Sequence, residues 1–528
     1  MRISTSQYFE TSASGYSKNF SDTAKTQQQI SSGNRIQTAA DDPVGAAKLL
    51  QLQQQSALLT QYSGNMTSVT NSLTQEEGVL DSITTALQRA QELTIQAGNG
   101  GLSDADRTSI ASEIGEIEKN VLGLLNTKDS NGQYMFSGSK SSTPPYVQNS
   151  DGSYTYQGDQ TELSLQVSDT LKLATNHTGY SVLETATNTS RTQTTMTAPA
   201  VDDGRVTVSD GRLGSLTSYN KSFTDGQPYT VKFVSSTQFT VTTKLADGTD
   251  KDITSEVAGN GTFDPKVDGG TTINLRGVEF DIDVTFKDTD VAADADINIA
   301  GHEFTLTSKP DTVSTTRNAT NTSDAQIASA TVTDTAKFAA GFPGGGAVLK
   351  FTGDDSYAVY AQPYSDSSKP IATGAYAVGD SITAAGITFE ISGTPKEGDK
   401  FSVNTNSHKT QNVLDTLHQL KTALEIPVTD AKSALALKNA TDSALGNLAS
   451  ASERIDIVRG EIGARLNSLD IQNDENQSLA LANKSTQSAI ADTDFAAASI
   501  TLSLQQTMLQ ASQLAFAKIS QLSLFNKL

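Results

Sequence analysis

Cysteine and tryptophan are absent from the 528 residues. Without cysteine no disulfide can form, and no thiolate can act as nucleophile or metal ligand. Cations are scarce as well. Lys plus Arg total 38 against 59 Asp plus Glu, a formal net charge of -21 with a pI near 4.6. Phosphate binding needs clustered Lys and Arg, so this balance argues against nucleic acid and anionic membrane surfaces as partners. No apolar run is long enough to span a bilayer, and no membrane insertion is expected. The opening MRISTSQYFE carries no apolar stretch of a cleavable signal peptide. The chain is expected either to stay inside the cell or to leave by a route that does not read such a signal.

Catalytic patterns are missing too. The four histidines, His177, His302, His408 and His418, have no metal-motif spacing. FPGGGAV (Phe342–Val348) lacks the GK[ST] that would make it a phosphate loop. There is no G-x-S-x-G elbow and no H-E-x-x-H helix. Acidic loops such as GDD (Gly353–Asp355) lack calcium-loop spacing. No catalytic, cofactor-binding or metal-ligating residue is assigned, and the chain reads as a non-enzyme.

What is present is helical periodicity at both ends. Phe9, Ala13, Tyr16, Phe20, Thr23, Gln27 and Ile30 recur at spacings of 4 and 3, a heptad seam with polar flaws at Thr23 and Gln27. A second seam runs from Leu52 through Leu59, Met66, Leu73, Leu80 and Leu87 to Ala97. A helix over Val44–Ala97 would be roughly 80 Å long, stopped by GNGG at Gly98–Gly101. Ser103 is placed to cap a third helix whose face carries Ile110, Ile114, Ile117, Val121 and Leu124. Helical spacing returns near Thr410, with Leu448, Ile455, Ile462 and Leu469 seven apart.

Between the first two helices stands ISSGNRIQTAADDPVG, with adjacent carboxylates Asp41 and Asp42. Asp42 before Pro43 reads as an N-cap followed by proline at the first helical position. The competing reading, a general acid/base pair or metal site, has no histidine nearby. ADTDF (Ala491–Phe495) offers a second cap, Asp492 or Thr493.

The last segment has no carboxylate after Asp494. Ile500, Leu504, Met508, Ala511, Ala515, Ile519 and Leu522 form one stripe, and Leu502, Leu509 and Phe516 another. Residues two apart lie about 200° apart on a helix, so both faces are apolar and one partner helix would not cover them. Packing among copies of the same chain is favoured over a central bundle helix. The expected assembly interface is Phe9, Tyr16, Phe20, Ile30, Ile500, Leu504, Met508, Leu509, Phe516, Ile519 and Leu522. Both termini are expected to order only on assembly, because isolated helices gain little without packing.

The middle of the chain, rich in Thr, Ser, Gly, Asp and Val, alternates as strands do. Lys232, Phe233, Phe239 and Val241 match Lys350, Phe351, Tyr357 and Val359, an offset of 350 − 232 = 118. Ile273, Gly277, Phe280 and Ile282 match Ile382, Gly386, Phe389 and Ile391, an offset of 382 − 273 = 109. Ile297, Gly301, Phe304 and Leu306 echo the second signature. Two similar β modules from a duplication are expected. The fold class is thus multidomain α plus β: terminal helices forming a coiled-coil core and a long helical rod, with an inserted all-β outer region. The expected domains are 1–40 with 490–528 (inner assembly domain), 41–185 with 408–489 (helical rod with a small β element), 186–310 and 311–407 (β modules).

These residues carry a resemblance. QQQISSGNRIQTAADDPVGAAKLLQLQ (Gln27–Gln53) resembles the start of flagellins and of the hook–filament junction family, flagellar hook-associated protein 3. RGEIGARLNSLD (Arg459–Asp470) and Ile490–Leu528 resemble the matching C-terminal regions. The opening MRIST, GQYMFSGSKSSTPPY (Gly132–Tyr146) and the ending SLFNKL are similar to the junction family rather than to filament flagellin. The resemblance covers roughly the first 180 and last 120 residues, where the helical pattern begins and ends. It implies a coiled-coil inner core, a surrounding helical rod and outward β domains. It also implies flagellar type III export without a cleaved signal, an extracellular place at the hook–filament junction, and a mechanical role adapting hook to filament. The partners it implies are copies of the chain in a ring, the other hook-associated junction protein, flagellin, and an export chaperone. Filament flagellin, or a surface protein with a glycan-binding β domain, are the alternatives.

Overall fold

The computed structural model describes residues 5–525 apart from 150–151, 246, 268, 288–293, 311, 319–320, 343–345, 363, 366 and 407. The opening Met1–Ser4 and the final Asn526–Leu528, which take part in the MRIST and SLFNKL signatures, lie outside the described residues, as do residues 343–345 of FPGGGAV. The class is the one expected: long helices at both ends of the chain and many small sheets between them. Two compact units are present, Met1–Thr74 with Leu163–Thr175 and Glu461–Leu528, and Gln75–Glu162 with Asn176–Gly460.

The long helices are α1 (Thr5–Ser32), α2 (Pro43–Ala97), α3 (Asp104–Leu125), α4 (Val413–Glu425), α5 (Ala431–Ala491) and α6 (Phe495–Phe525). Helices α2 and α5 each contribute one part to either unit. In the first unit the α2 seam buries Leu52, Leu59, Met66, Val69 and Leu73, and α5 buries Ile462 and Leu469. Two α5 amides reinforce this apolar line. Asn476 Nδ2 donates to the Leu59 carbonyl at 2.9 Å and Asn483 Nδ2 to the Leu52 carbonyl at 3.0 Å.

In the second unit Leu80, Ile83, Leu87 and Ala90 of α2 are fully buried, with Leu448 and Ile455 of α5. Glu76 falls on the same seam and is also buried. A buried carboxylate is costly unless bonded, and the His177 backbone N–H (3.2 Å) and its Nδ1 (3.0 Å) both reach Glu76. Ser103 caps α3 in a capping box with Asp106. The α3 face differs from expectation. Ile117 and Leu124 are only half-buried, while Glu118 and Leu125 complete the buried line. Glu118 is tolerated there because the Tyr154 hydroxyl donates to it at 2.7 Å and His418 Nδ1 lies 3.2 Å away.

Small hairpins β1 (Tyr146–Gln148) with β2 (Tyr154–Tyr156) and β3 (Ser164–Gln166) with β4 (Lys172–Ala174) belong to the second and first units respectively. The first module then carries β5 (Thr192–Ala198), β6 (Val206–Val208), β7 (Arg212–Leu213), β8 (Tyr229–Phe233), β9 (Phe239–Lys244), β10 (Asp250–Asp252), β11 (Thr271–Leu275), β12 (Val278–Val284) and β13 (Glu303–Ser308). The second carries β14 (Thr312–Arg317), β15 (Gln326–Val332), β16 (Gly346–Gly353), β17 (Ser356–Ala361), β18 (Ala372–Ala375), β19 (Ser381–Ala384), β20 (Ile387–Ser392) and β21 (Lys400–Asn406).

Their topologies coincide. The orders β10-β9-β8-β13-β5 and β18-β17-β16-β21-β14 are one pattern, and β11-β12-β6 and β19-β20-β15 are another. Each repeated signature sits at the same place: the first on the β8–β9 and β16–β17 hairpins, the second on β11–β12 and β19–β20. Both latter hairpins turn through two residues of positive φ, Arg276-Gly277 and Ala385-Gly386, the geometry that suits the twist of paired strands. Gly277 O accepts from Gly214 and Ser215 N–H, and Gly386 O from Thr333 and Asp334 N–H. A Cβ at Gly386 would stand 2.3 Å from the Asp334 carbonyl.

The third echo is placed differently. Ile297 lies on a short helix, Ala295–Ile299, and is 74% exposed. Gly301, Phe304 and Leu306 correspond to Gly398, Phe401 and Val403 instead, an offset of 398 − 301 = 97. Phe233 pairs with Gly301 and His302 through the same two backbone bonds by which Phe351 pairs with Gly398 and Asp399. The echo is therefore the last strand of the module, not a third hairpin. Each module has its own aromatic core, with Phe223, Phe233, Phe239, Phe280 and Phe304 in one and Phe351, Phe389 and Phe401 in the other.

The chain enters and leaves the modules side by side. Asn188 N–H donates to Lys409 O and Gln411 N–H to Ala186 O, both at 3.1 Å. Glu184 stands at this neck. Burial, then the nearby Asp415 carboxylate, push its carboxyl up to about 7, against opposing hydrogen bonds from Tyr146 and Asn412.

Candidate assembly surface

Helices α1 and α6 pack on each other within the first unit. The Phe516 ring lies 5.2 Å from Phe9 and 6.1 Å from Tyr16. Asn19 Nδ2 donates to Ser512 Oγ at 2.7 Å. Thr23 and Thr26 are buried and Ile30 is half-buried. The polar position Thr23 is tolerated because its hydroxyl bonds the Asn19 carbonyl at 2.7 Å.

Phe20, on the expected heptad seam, is 56% exposed in the single chain. The inward line passes from Tyr16 through Asn19 to Thr23, a 3-then-4 step, because Asn19 rather than Phe20 engages α6. Gln27 is likewise exposed, and Thr26 takes the inward place.

On α6 the two apolar stripes separate. Leu502, Leu509 and Phe516 are half-buried, as is Gln505 between them. The other stripe is bare: Ile500 is 72% exposed, Leu504 56% and Met508 49%. Leu514 and Phe495 add to the exposed apolar surface. Neither end turn of α6 carries a charge. The side chains of Ile519 and Leu522 lie outside the described residues. An exposed apolar surface of this extent on a helix is the ordinary mark of an interface.

The segment that leaves α1 and the one that enters α6 are clasped together. Arg35 N–H donates to Ala491 O at 2.6 Å and Thr493 N–H to Gly33 O at 2.8 Å, with Asn34 and Asp492 bridged. This accounts for the adjacent aspartates. Asp41 accepts from the Gln37 and Thr38 N–H groups and lies 2.6 Å from Lys25 Nζ. The Lys25 hydrogen bond, then those of Thr38 and Gln37, hold its carboxyl well below the usual range. Asp42 Oδ1 accepts the Gly45 N–H at 2.9 Å at the start of α2. A Cβ on Gly45 would stand 2.5 Å from Asp42 Oδ2, so the glycine makes room for the capping carboxylate. Both carboxylates have architectural partners.

The second cap is corrected. Asp494, not Asp492, caps α6: its Oδ1 accepts from Ala496 and Ala497 N–H at 2.9 and 3.1 Å. Helix α5 continues to Ala491 and residues 492–493 are drawn into the clasp, which leaves Asp494 as the last residue before the helix. Asp492 instead accepts from Ser488 Oγ. The available signal was that Asp494 is the last carboxylate of the chain. Asn476 and Asn483, which bond across to α2, carry a signal in the sequence, because their spacing of seven matches the seam.

Among the described residues no group of three or more His, Cys, Asp or Glu is placed to hold a metal, and no helix is long and apolar enough to cross a membrane.

Residues 3–141 match the family model described as the bacterial flagellin N-terminal helical region. The chain is 36% identical over 188 residues to "Flagellar hook-associated protein 3" of Salmonella typhimurium and 35% identical over 188 residues to the protein of that name in Escherichia coli K12. Each match covers 36% of this chain and 58% of the relative, less than two thirds of its length. A crystal structure of flagellar hook associated protein-3 from Legionella pneumophila aligns with 83% of this chain and 98% of its own at 23% identity and a TM-score of 0.46.

Proposed function

We propose that this chain is a structural subunit of the bacterial flagellum that joins the hook to the filament and seeds flagellin assembly. The likeness to hook-associated protein 3 carries the reading. The bare stripe of α6 supports the mode of action, assembly through the chain ends. In this reading Phe9, Tyr16, Ile30, Leu509 and Phe516 hold the α1–α6 pair within one subunit. Phe20, Ile500, Leu504 and Met508 meet neighbouring copies.

The partners are other copies of the chain in a ring, the second hook-associated junction protein on the hook side and flagellin on the filament side. An export chaperone holds the apolar ends before secretion. The protein leaves through flagellar export without a cleaved signal and works outside the cell, mechanically rather than as an enzyme. The β modules project from the joint and are not needed to make it.

Immunolabelling of purified hook–filament particles tests the reading. Label confined to the joint is expected. Label along the whole filament, with purified protein polymerising alone, would turn the assignment to filament flagellin. Deleting residues 192–407, which spares the paired neck strands, is expected to leave export and the joint intact, because closing the gap costs little per added linker residue.

A further inference from the structure

The two β modules share one topology but not one environment. In the first, the outward side of β11-β12-β6 rests on α5. Asp281 on β12 carries that contact, with its carboxylate 2.9 Å from Lys438 Nζ. Thr272 Oγ1 donates to Asp281 at 2.6 Å, and the Asp281 N–H donates to Ser209 Oγ at 2.8 Å. One residue beyond Ser209, the Asp210 N–H donates to Asn439 Oδ1 of α5 at 3.1 Å.

The second module keeps the same constellation. Glu390 on β20 stands opposite Ser381 on β19, as Asp281 stands opposite Thr272. On its other side it faces Ser329, whose hydroxyl donates to Glu390 at 3.0 Å. In each copy one neighbouring hydroxyl donates to the carboxylate, from Thr272 to Asp281 and from Ser329 to Glu390, but Ser329, Ser381 and Glu390 are all exposed.

The start of α5 carries two lysines. Lys438 is half-buried against the first module, whereas Lys432 is exposed, with Ala436 exposed one turn on. Six residues at 3.6 per turn put the two lysines about 120° apart around the helix, so one sheet face does not take both. Carboxylate on one surface and lysine with small neighbours on the other repeat the charge complementarity of the docked copy.

We propose that the Glu390 face of the second module docks on the Lys432–Ala436 side of α5 in a second copy of this chain, so that α5 is held between its own first module and its neighbour's second. The presence of that second copy rests on the assembly reading above. The duplicated module then acts as a clamp between subunits.

The absence of cysteine in the natural chain makes the test clean. Flagella are purified from cells carrying Glu390→Cys together with Lys432→Cys and mildly oxidised. The expected result is a ladder of disulfide-linked dimers and higher multimers from assembled particles. A control pair, Glu390→Cys with Lys119→Cys, and the dilute double-cysteine monomer are expected to give none. Particles that contain the double-cysteine protein yet give only monomer would overturn the docking face while leaving the joint assignment standing. Absence of the unmodified protein from the particles would overturn the joint assignment, and the docking face with it.

Discussion

The β modules and the terminal helix pair handle apolar side chains in opposite ways. In the modules the large residues are sealed: Phe233, Phe351, Phe389 and Phe401 are at most 1% exposed. On the bare stripe of α6, Ile500, Leu504 and Met508 are half to three-quarters exposed. A module covers its large residues within one chain, whereas the described residues leave one stripe of α6 uncovered. The difference separates substitutions that damage folding from those that damage assembly, and that separation can be tested.

The largest effect is expected at the bare stripe. Leu504→Asp places a charge where neighbouring copies would pack, which is expensive once water is excluded. Swimming should be lost, with unpolymerised flagellin shed into the medium, while the melting of the purified monomer stays within about 0.5 kcal/mol of the parent, as for other surface substitutions. Normal swimming would remove the stripe from the interface. Phe351→Ala inverts the comparison. Emptying a sealed core position should cost about 3–5 kcal/mol, read as early melting of the second module, with motility largely kept.

The neck offers a third test, through pH. Glu184 has its folded value raised from 4.5 to about 7. A carboxyl raised in the folded state gives stability that is fully present below 4.5 and is lost as pH rises through about 7. The change is at most about 3.5 kcal/mol, from ~1.4 kcal/mol per tenfold change in proton affinity. Denaturant melts from pH 4.5 to 8 should show this decline in the parent, and Glu184→Gln should flatten it. An equal slope in both would assign the effect to other groups. The smallest effect belongs to the α2 cap: Asp42→Ala should cost about 1 kcal/mol in denaturant melts, and Asp42→Asn only a few tenths.

Much of this was legible in the chain because it is periodic. Heptads place residues on a face whatever the tertiary context, so Leu52–Leu87 and Leu448–Leu469 read directly as buried seams. Asp42 read as a cap because proline and glycine punctuate it. The duplication read through because glycines at positive φ and inward aromatics keep fixed spacings. Side-chain competition was less legible. Asn19 displaced Phe20 from the inward line by hydrogen-bonding Ser512, nearly five hundred residues away. Asp494 became the cap because backbone pairing with residues 33–35 took up residues 492–493. Glu118 and Glu76 are buried because Tyr154, on β2, and His177 reach them from other parts of the chain. Each of these outcomes was decided by a partner remote in sequence, which no local pattern encodes.

The two α5 asparagines bear on how the first unit takes load. Their donors are seven residues apart, and so are the α2 carbonyls that receive them, Leu59 and Leu52. Shear between the two helices therefore has only discrete resting places, one heptad or about 10 Å apart at 1.5 Å per residue. At any offset in between, two buried amides lose their acceptors, at about 1–3 kcal/mol each. A helix pair built this way does not creep under a pull. It holds its length stiffly until it yields by a whole step, which makes it behave as a detent rather than a spring.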